Sequence, residues 1–194
     1  YLTVPFCVIG IGRYLFHALY SKDQRPPTEA MLTDNAGRDL TTTATLALDA
    51  DHRIIGYHLD TICNLGAYNS GFAQFIQTEL FSKVMMGTYD VQAAYMRVQG
   101  IYTNTTPVDA YRGAGRPEAT YSLERVVDKC ARELGMDPVE LRRKNFITPD
   151  MYPYTTPVAL EYDTGDYGAV MDKLDEIGDL SGFDARLQES TSKG

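Results

Sequence analysis

The chain has 194 residues, of which 44% are hydrophobic and 23% charged, with a formal net charge of -8. That balance excludes a disordered polymer, and its acidity argues against a nucleic-acid binder, which carries a basic surface. Cys7, Cys63 and Cys130 stand far apart with no C-x-x-C pair, so neither a zinc ribbon nor a disulfide framework is indicated and a reducing, cytoplasmic setting fits best.

Tyr1 rather than methionine opens the chain, and we read the sequence as a section of a longer one. Residues 4–20 are apolar but contain Arg13 and His17. They fall short of the roughly 20 apolar residues of a membrane span and lack the cleavage site of a signal peptide. No membrane span is expected; a buried helix or strand is the plain reading. Residues 21–39 are polar, broken by Pro26-Pro27, and read as a loop. A hairpin follows. Residues 41–48 alternate, with Thr43, Thr45 and Ala47 against Ala44, Leu46 and Leu48, and Asp49-Ala50-Asp51-His52 supplies a turn. Residues 54–63 return as a second strand with Ile55, Tyr57, Leu59 and Thr61 on one face. Residues 66–82 are glycine-punctuated and aromatic, with a short helix expected over 74–84, and 95–102 read as another strand.

The helical half is clearer. From 118 to 134, Ala119, Leu123, Val126, Val127, Cys130, Ala131 and Leu134 recur at spacings of three and four and predict one buried face. Pro117 and Glu118 suit the first turn, and Gly135 suits the C-terminal cap. Asp137-Pro138-Val139-Glu140 then reads as a capping box opening a helix that ends near Asn145. Residues 148–162 form a proline-broken connector. A third helix over 166–177 is expected to bury Val170, Met171, Leu174 and Ile177, and Ser181-Gly182-Phe183 opens a short fourth. Strands first and helices later give an α+β fold, with a hairpin or mixed sheet in the N-terminal half and helices in the C-terminal half.

Function concentrates in the run Asp109-Ala110-Tyr111-Arg112-Gly113-Ala114-Gly115-Arg116-Pro117-Glu118-Ala119. Glycines let backbone N–H groups approach a polar ligand, the following helix N-terminus adds unpaired donors and partial positive charge, and arginines add cationic forks. The run reads as a cradle for an anion. Plainer readings stand beside this one. Arg112 could pair with Asp109, Arg116 with Glu118 or Glu79, and Gly113 and Gly115 could serve the turn alone. His17, His52 and His58 have no metal-ligand spacing, so no metal-ligating residues are expected. Cys63 and Cys130 sit in apolar patterns as inert thiols. Tyr68, Tyr95, Tyr102 and Tyr111 read as core or interface residues. Arg142-Arg143-Lys144 reads as a solvated helix end, and Asp172, Asp175, Glu176 and Asp179 as an exposed acidic face.

The segments Thr103-Asn104-Thr105-Thr106-Pro107 and Ala110 through Ala119 resemble the xanthine dehydrogenase family of molybdenum hydroxylases. The match is to its molybdopterin-binding large subunit, in the form seen in aerobic carbon monoxide dehydrogenase-like members. Leu134-Gly135-Met136-Asp137-Pro138, Leu141-Arg142-Arg143-Lys144-Asn145, Tyr162-Asp163-Thr164-Gly165-Asp166-Tyr167 and Leu65-Gly66-Ala67-Tyr68 continue the likeness. It covers residues 31–194 as a partial cofactor-binding domain, while 1–30 match poorly. The resemblance implies a molybdenum–molybdopterin cofactor, in bacteria often the cytosine dinucleotide form. It implies hydroxylation of an aldehyde or N-heterocycle with water as the oxygen source and a glutamate as base. Electrons would pass to 2Fe-2S clusters and FAD on a small iron–sulfur subunit and a medium flavin subunit. Arg112, Gly113, Ala114 and Gly115 would be cofactor-binding, with Arg112 and Gly113 beside the metal and backbone donors facing its oxygen ligands.

Three departures refine that expectation. Gly113 stands where carbon monoxide dehydrogenases carry a copper-binding cysteine, and Ala114 where xanthine-type enzymes carry a purine-stacking phenylalanine. The family's glycine-rich loop with phenylalanine and its glutamate-bearing segment are both missing, so no catalytic residue is expected in this chain. The rival reading is a non-catalytic section that contacts partner subunits and is inactive alone.

Overall fold

A computed structural model describes residues 39–193. The expectations for residues 1–38, including His17, Cys7 and the 21–39 loop except its last residue, lie outside the described residues. Strand β1 (Leu40–Leu48) pairs antiparallel with β2 (Ile54–Gly66), and β3 (Ala94–Tyr102) pairs parallel with β2. The sheet order is therefore β1-β2-β3, a mixed sheet as expected. Between β2 and β3 the chain crosses through α1 (73–83), built from α-helical Ala73–Phe75, a π-helical turn Ile76–Leu80 and α-helical Phe81–Lys83. Helices α2 (Arg116–Leu134) and α3 (Pro138–Asn145) follow. A two-residue pair, β4 (Tyr154–Thr155) and β5 (Glu161–Tyr162), lies within the connector, and α4 (Tyr167–Gly178) and α5 (Phe183–Ser192) close the chain.

Alternation places Ala44, Leu46 and Leu48 inward from β1, where they pack on the core with Tyr57 and Leu59 of β2. One residue departs from the expected face. Ala47 pairs with Gly56 but Leu48 pairs with Ile54, so Ile55 is the extra residue of a bulge and is 39% exposed while Ile54 is buried. Helix α2 lays Ala119, Leu123, Val127 and Ala131 against the sheet, one turn apart, with Val126 and Cys130 at the margin. Leu134 is exposed. Gly135 ends the helix in the left-handed region, and its N–H and that of Met136 bond to Arg132 and Ala131 carbonyls. Asp137 caps α3 by accepting the N–H groups of Val139 and Glu140 at 2.8 and 2.9 Å.

Three further expectations are corrected. Arg142 is not solvated: only 15% of its side chain is exposed, and its guanidinium sits between Glu124 (2.8 Å) and Asp128 (2.7 Å), clamping α3 to α2. Helix α4 does not bury its apolar face; Val170, Leu174 and Ile177 are 57%, 55% and 74% exposed. Periodicity shows which face seeks cover, but α4 is held through Met171, Tyr167 and the Arg143–Asp172 ion pair instead. Of the core-or-interface reading of Tyr68, Tyr95, Tyr102 and Tyr111 the core half is corrected, since all four are exposed.

Candidate functional site

The 109–118 turn is held by two neighbours. The first is the loop leaving β2. Gly66 has φ +78, and a Cβ there would stand 2.4 Å from Pro107 Cα and 2.6 Å from Thr106 O, so only glycine lets these two strands of chain touch. Asn64 then stitches them together. Its Nδ2 donates to Thr105 Oγ1 at 3.0 Å, and its Oδ1 accepts from Thr103 Oγ1 at 2.7 Å and from Gly66 N at 2.8 Å. Ala67 N donates to Thr105 O, Thr103 N to Gly66 O, and Ser70 Oγ to Val108 O. The Thr103–Thr106 motif thus acts as a rail that aligns the turn.

At the end of that rail, Asp109 Oδ1 accepts the N–H of Ala110 at 2.7 Å and of Phe72 at 3.2 Å. These donors, Ala110 first, hold the Asp109 carboxyl below its ordinary range. A carboxyl with a depressed native pKa stabilises above its unfolded value and loses that contribution as pH falls through the native one. Amide exchange at Ala110 and Phe72, corrected for the intrinsic pH dependence, is therefore expected to be protected at pH 6 and to lose protection below about pH 4. In Asp109→Asn that pH dependence disappears. A pH dependence of protection in the parent equal to that in Asp109→Asn would remove the clamp.

The second neighbour is α1. Gly113, Ala114 and Gly115 have φ of 105°, 43° and 91°, three successive left-handed residues that fold the chain sharply before α2. A Cβ on Gly115 would stand 2.9 Å from Phe81 N and 3.0 Å from Ile76 O, so the turn sits directly on the π-helical turn of α1. Ala114 N bonds Tyr111 O and Arg116 N bonds Gly113 O, a pattern that leaves out the N–H of half-buried Gly113. Arg112 and Arg116 are exposed on either side.

Of the expected site residues, Arg112, Gly113 and Ala114 therefore lie on the accessible rim, whereas Gly115 is buried and structural. The plainer pairing of Arg116 with Glu79 loses ground, because Glu79 pairs with Lys83 at 3.1 Å. His52 is a turn residue with φ 61°, and His58 is exposed on β2 beside Tyr95. Burial pushes the Cys63 thiol up to about 12, so it is an inert core group. Among the described residues no group of three or more His, Cys, Asp or Glu side chains is placed to hold a metal ion, and no helix is long and apolar enough to cross a membrane. The donors at the turn are instead peptide N–H and guanidinium groups, which suit a large oxygen-rich or anionic group presented to the rim. A pterin-held metal carrying oxygen ligands fits this donor set.

One buried polar group of α1 was not legible in the sequence. Gln77, in the π-helical turn, is 6% exposed, and its Oε1 is buried with no hydrogen-bond partner among the described residues.

Residues 25–146 match the family described as molybdopterin cofactor-binding domain. The chain is 36% identical over 148 residues to the carbon monoxide dehydrogenase large chain of Hydrogenophaga pseudoflava, covering 75% of this chain and 18% of that one. It is 30% identical over 169 residues to the nicotine 6-hydroxylase large subunit of Paenarthrobacter nicotinovorans, covering 86% and 20%. Among solved structures it resembles quinoline 2-oxidoreductase from Pseudomonas putida 86, with a TM-score of 0.75 at 29% identity over 81% of this chain and 20% of that one. It thus spans 18 to 20% of the curated relatives' length. With the mixed sheet and the helical second half in place, the chain belongs to the molybdopterin cofactor-binding domain family of molybdenum hydroxylase large subunits.

Proposed function

We propose that this chain lines one side of a molybdenum–molybdopterin site in an oxidoreductase large subunit, with residues 31–194 as its section of the domain. When bound, the group supplies two-electron oxidation of an aldehyde or an N-heterocycle with water as the oxygen source. This chain's residues bind and orient. Arg112 offers a fixed positive charge at the rim, Gly113 an N–H on a backbone with no side chain in the way, and Ala114 and Gly115 the curvature that presents both. Gly113 has no thiol and Ala114 no ring, which disfavours carbon monoxide and purines as substrates. The cytosine dinucleotide form of the cofactor, 2Fe-2S and FAD on small and medium partner subunits, and a cytoplasmic location complete the proposal. The single observation that carries it is the run of three left-handed residues, flanked by two exposed arginines and seated on α1.

The test is metal and pterin analysis of the large subunit carrying this sequence, made with its partners in a host that synthesises the cofactor. The parent is expected to contain both molybdenum and pterin, and Arg112→Ala to keep its melting temperature within about 2 °C while losing on the order of tenfold in pterin content. A parent with neither component, or an Arg112→Ala variant loaded like the parent, would refute the reading. A non-catalytic section that only contacts partner subunits is the second reading. It predicts a folded assembly with no pterin.

A further inference from the structure

We propose that Gln77 is a positioning residue of the cofactor site, its buried Oε1 kept for a hydrogen-bond donor that enters with the pterin cofactor. This deepens the proposed function and rests on it. Three observations converge on the residue. Gln77 lies in the π-helical turn Ile76–Leu80, a helix geometry that is rare and concentrated at functional sites. The same turn carries the seat of the left-handed residues, since Ile76 O and Phe81 N are the backbone atoms that close on Gly115. And a side-chain acceptor that is nine-tenths buried without a partner is an uncommon liability, costing the folded state the desolvation of its oxygen.

Among the described residues the Tyr57 and Tyr152 hydroxyls are also buried without hydrogen-bond partners. They lie mid-strand in β2 and in the 148–162 connector, away from the 109–118 turn in sequence, and neither element closes on Gly115. Gln77, unlike those two hydroxyls, sits one residue from that contact. The widened helical turn that carries Gln77 is the one whose backbone closes on Gly115, and on this proposal the buried amide oxygen is satisfied when the site is filled.

The mark of such a residue is that stability and loading move in opposite directions when it is replaced. Gln77→Met keeps the length of the side chain and removes the acceptor. It is compared with the parent in the assembled large subunit, once from a host unable to make the pterin and once from a host that makes it. The expected result is a melting temperature of the empty protein raised by roughly 2–4 °C together with a several-fold fall in pterin content in the second host. A variant that loads normally, whatever its melting temperature, overturns the inference. So does one that loses both stability and loading, which a merely structural glutamine gives. A lowered melting temperature in the empty protein alone means that a water already satisfies the oxygen, and likewise overturns it. If the parent itself holds no pterin, the proposed function fails first; a loaded parent beside an equally loaded Gln77→Met isolates the failure to Gln77.

Discussion

Replacing Gly115 with alanine is expected to destabilise the chain by about 3 kcal/mol or more and to unseat the 109–118 turn. Two costs add. At φ 91° an L-residue is disfavoured by roughly 1–2 kcal/mol. The new Cβ would also stand 2.9 Å from Phe81 N, 3.0 Å from Ile76 O and 3.2 Å from Leu80 C. All three are backbone atoms of α1, so no side-chain rotation relieves the contact; either α1 or the start of α2 has to move. Movement there disturbs Ala119 N, which bonds Gly115 O at 3.1 Å, and behind it the packing of Ala119 and Leu123. Denaturant unfolding measures the loss, and faster amide exchange at Ala119 locates it. Ala114→Gly is the control. Ala114 already occupies φ 43°, so that change stays within about 1 kcal/mol of the parent. A shift below about 1 kcal/mol for Gly115→Ala would mean that the turn does not rest on α1.

The 109–118 turn is legible in the sequence only in part. The position of the turn was legible, because glycines and arginines before a patterned helix carry their meaning locally. The use of Gly115 was not: a glycine beside a ligand and a glycine beside a helix look alike until the partner atoms are known. Gln77 gave no signal at all, since a π-helical turn shows only as one displaced position in a short helix. The hairpin and α2 were legible because each buries one face at a fixed period; the two misplaced residues are Ile55, which a bulge shifts off the period, and Leu134, exposed at the end of α2. Arg142 misled for a different reason. Its neighbours Arg143 and Lys144 suggest solvent, whereas its partners Glu124 and Asp128 lie 18 and 14 residues earlier on another helix. Helix α4 shows the opposite limit, with an apolar face written plainly in the sequence and left exposed in the fold.

Asn145→Ala is expected to cost about 3–4 kcal/mol, because one amide fastens three pieces of chain. Asn145 is 1% exposed at the end of α3. Its Oδ1 accepts the N–H of Ile54 at 2.8 Å, and its Nδ2 donates to His52 O at 3.0 Å and Leu141 O at 2.9 Å. Arg53 adds a bond to Lys144 O beside it. The amide therefore stands in for the ladder that the β1–β2 turn and the bulge interrupt, and ties that turn to α3. Alanine leaves the Ile54 N–H buried with no acceptor, at about 1–3 kcal/mol, and removes two further bonds of about 1 kcal/mol each. Asn145→Asp separates the roles. It keeps an acceptor for Ile54 but turns a carboxylate oxygen toward two carbonyls, so the ionised form is disfavoured and the folded-state pKa rises above the usual carboxylate range. A raised carboxyl pKa places the lost stability at high pH, so the aspartate variant is expected to be least stable near pH 7 and to recover as pH falls toward about 5. Alanine shows no such recovery. Denaturant unfolding at the two pH values checks both, and an alanine variant within about 1 kcal/mol of the parent would show that the hairpin turn holds without α3.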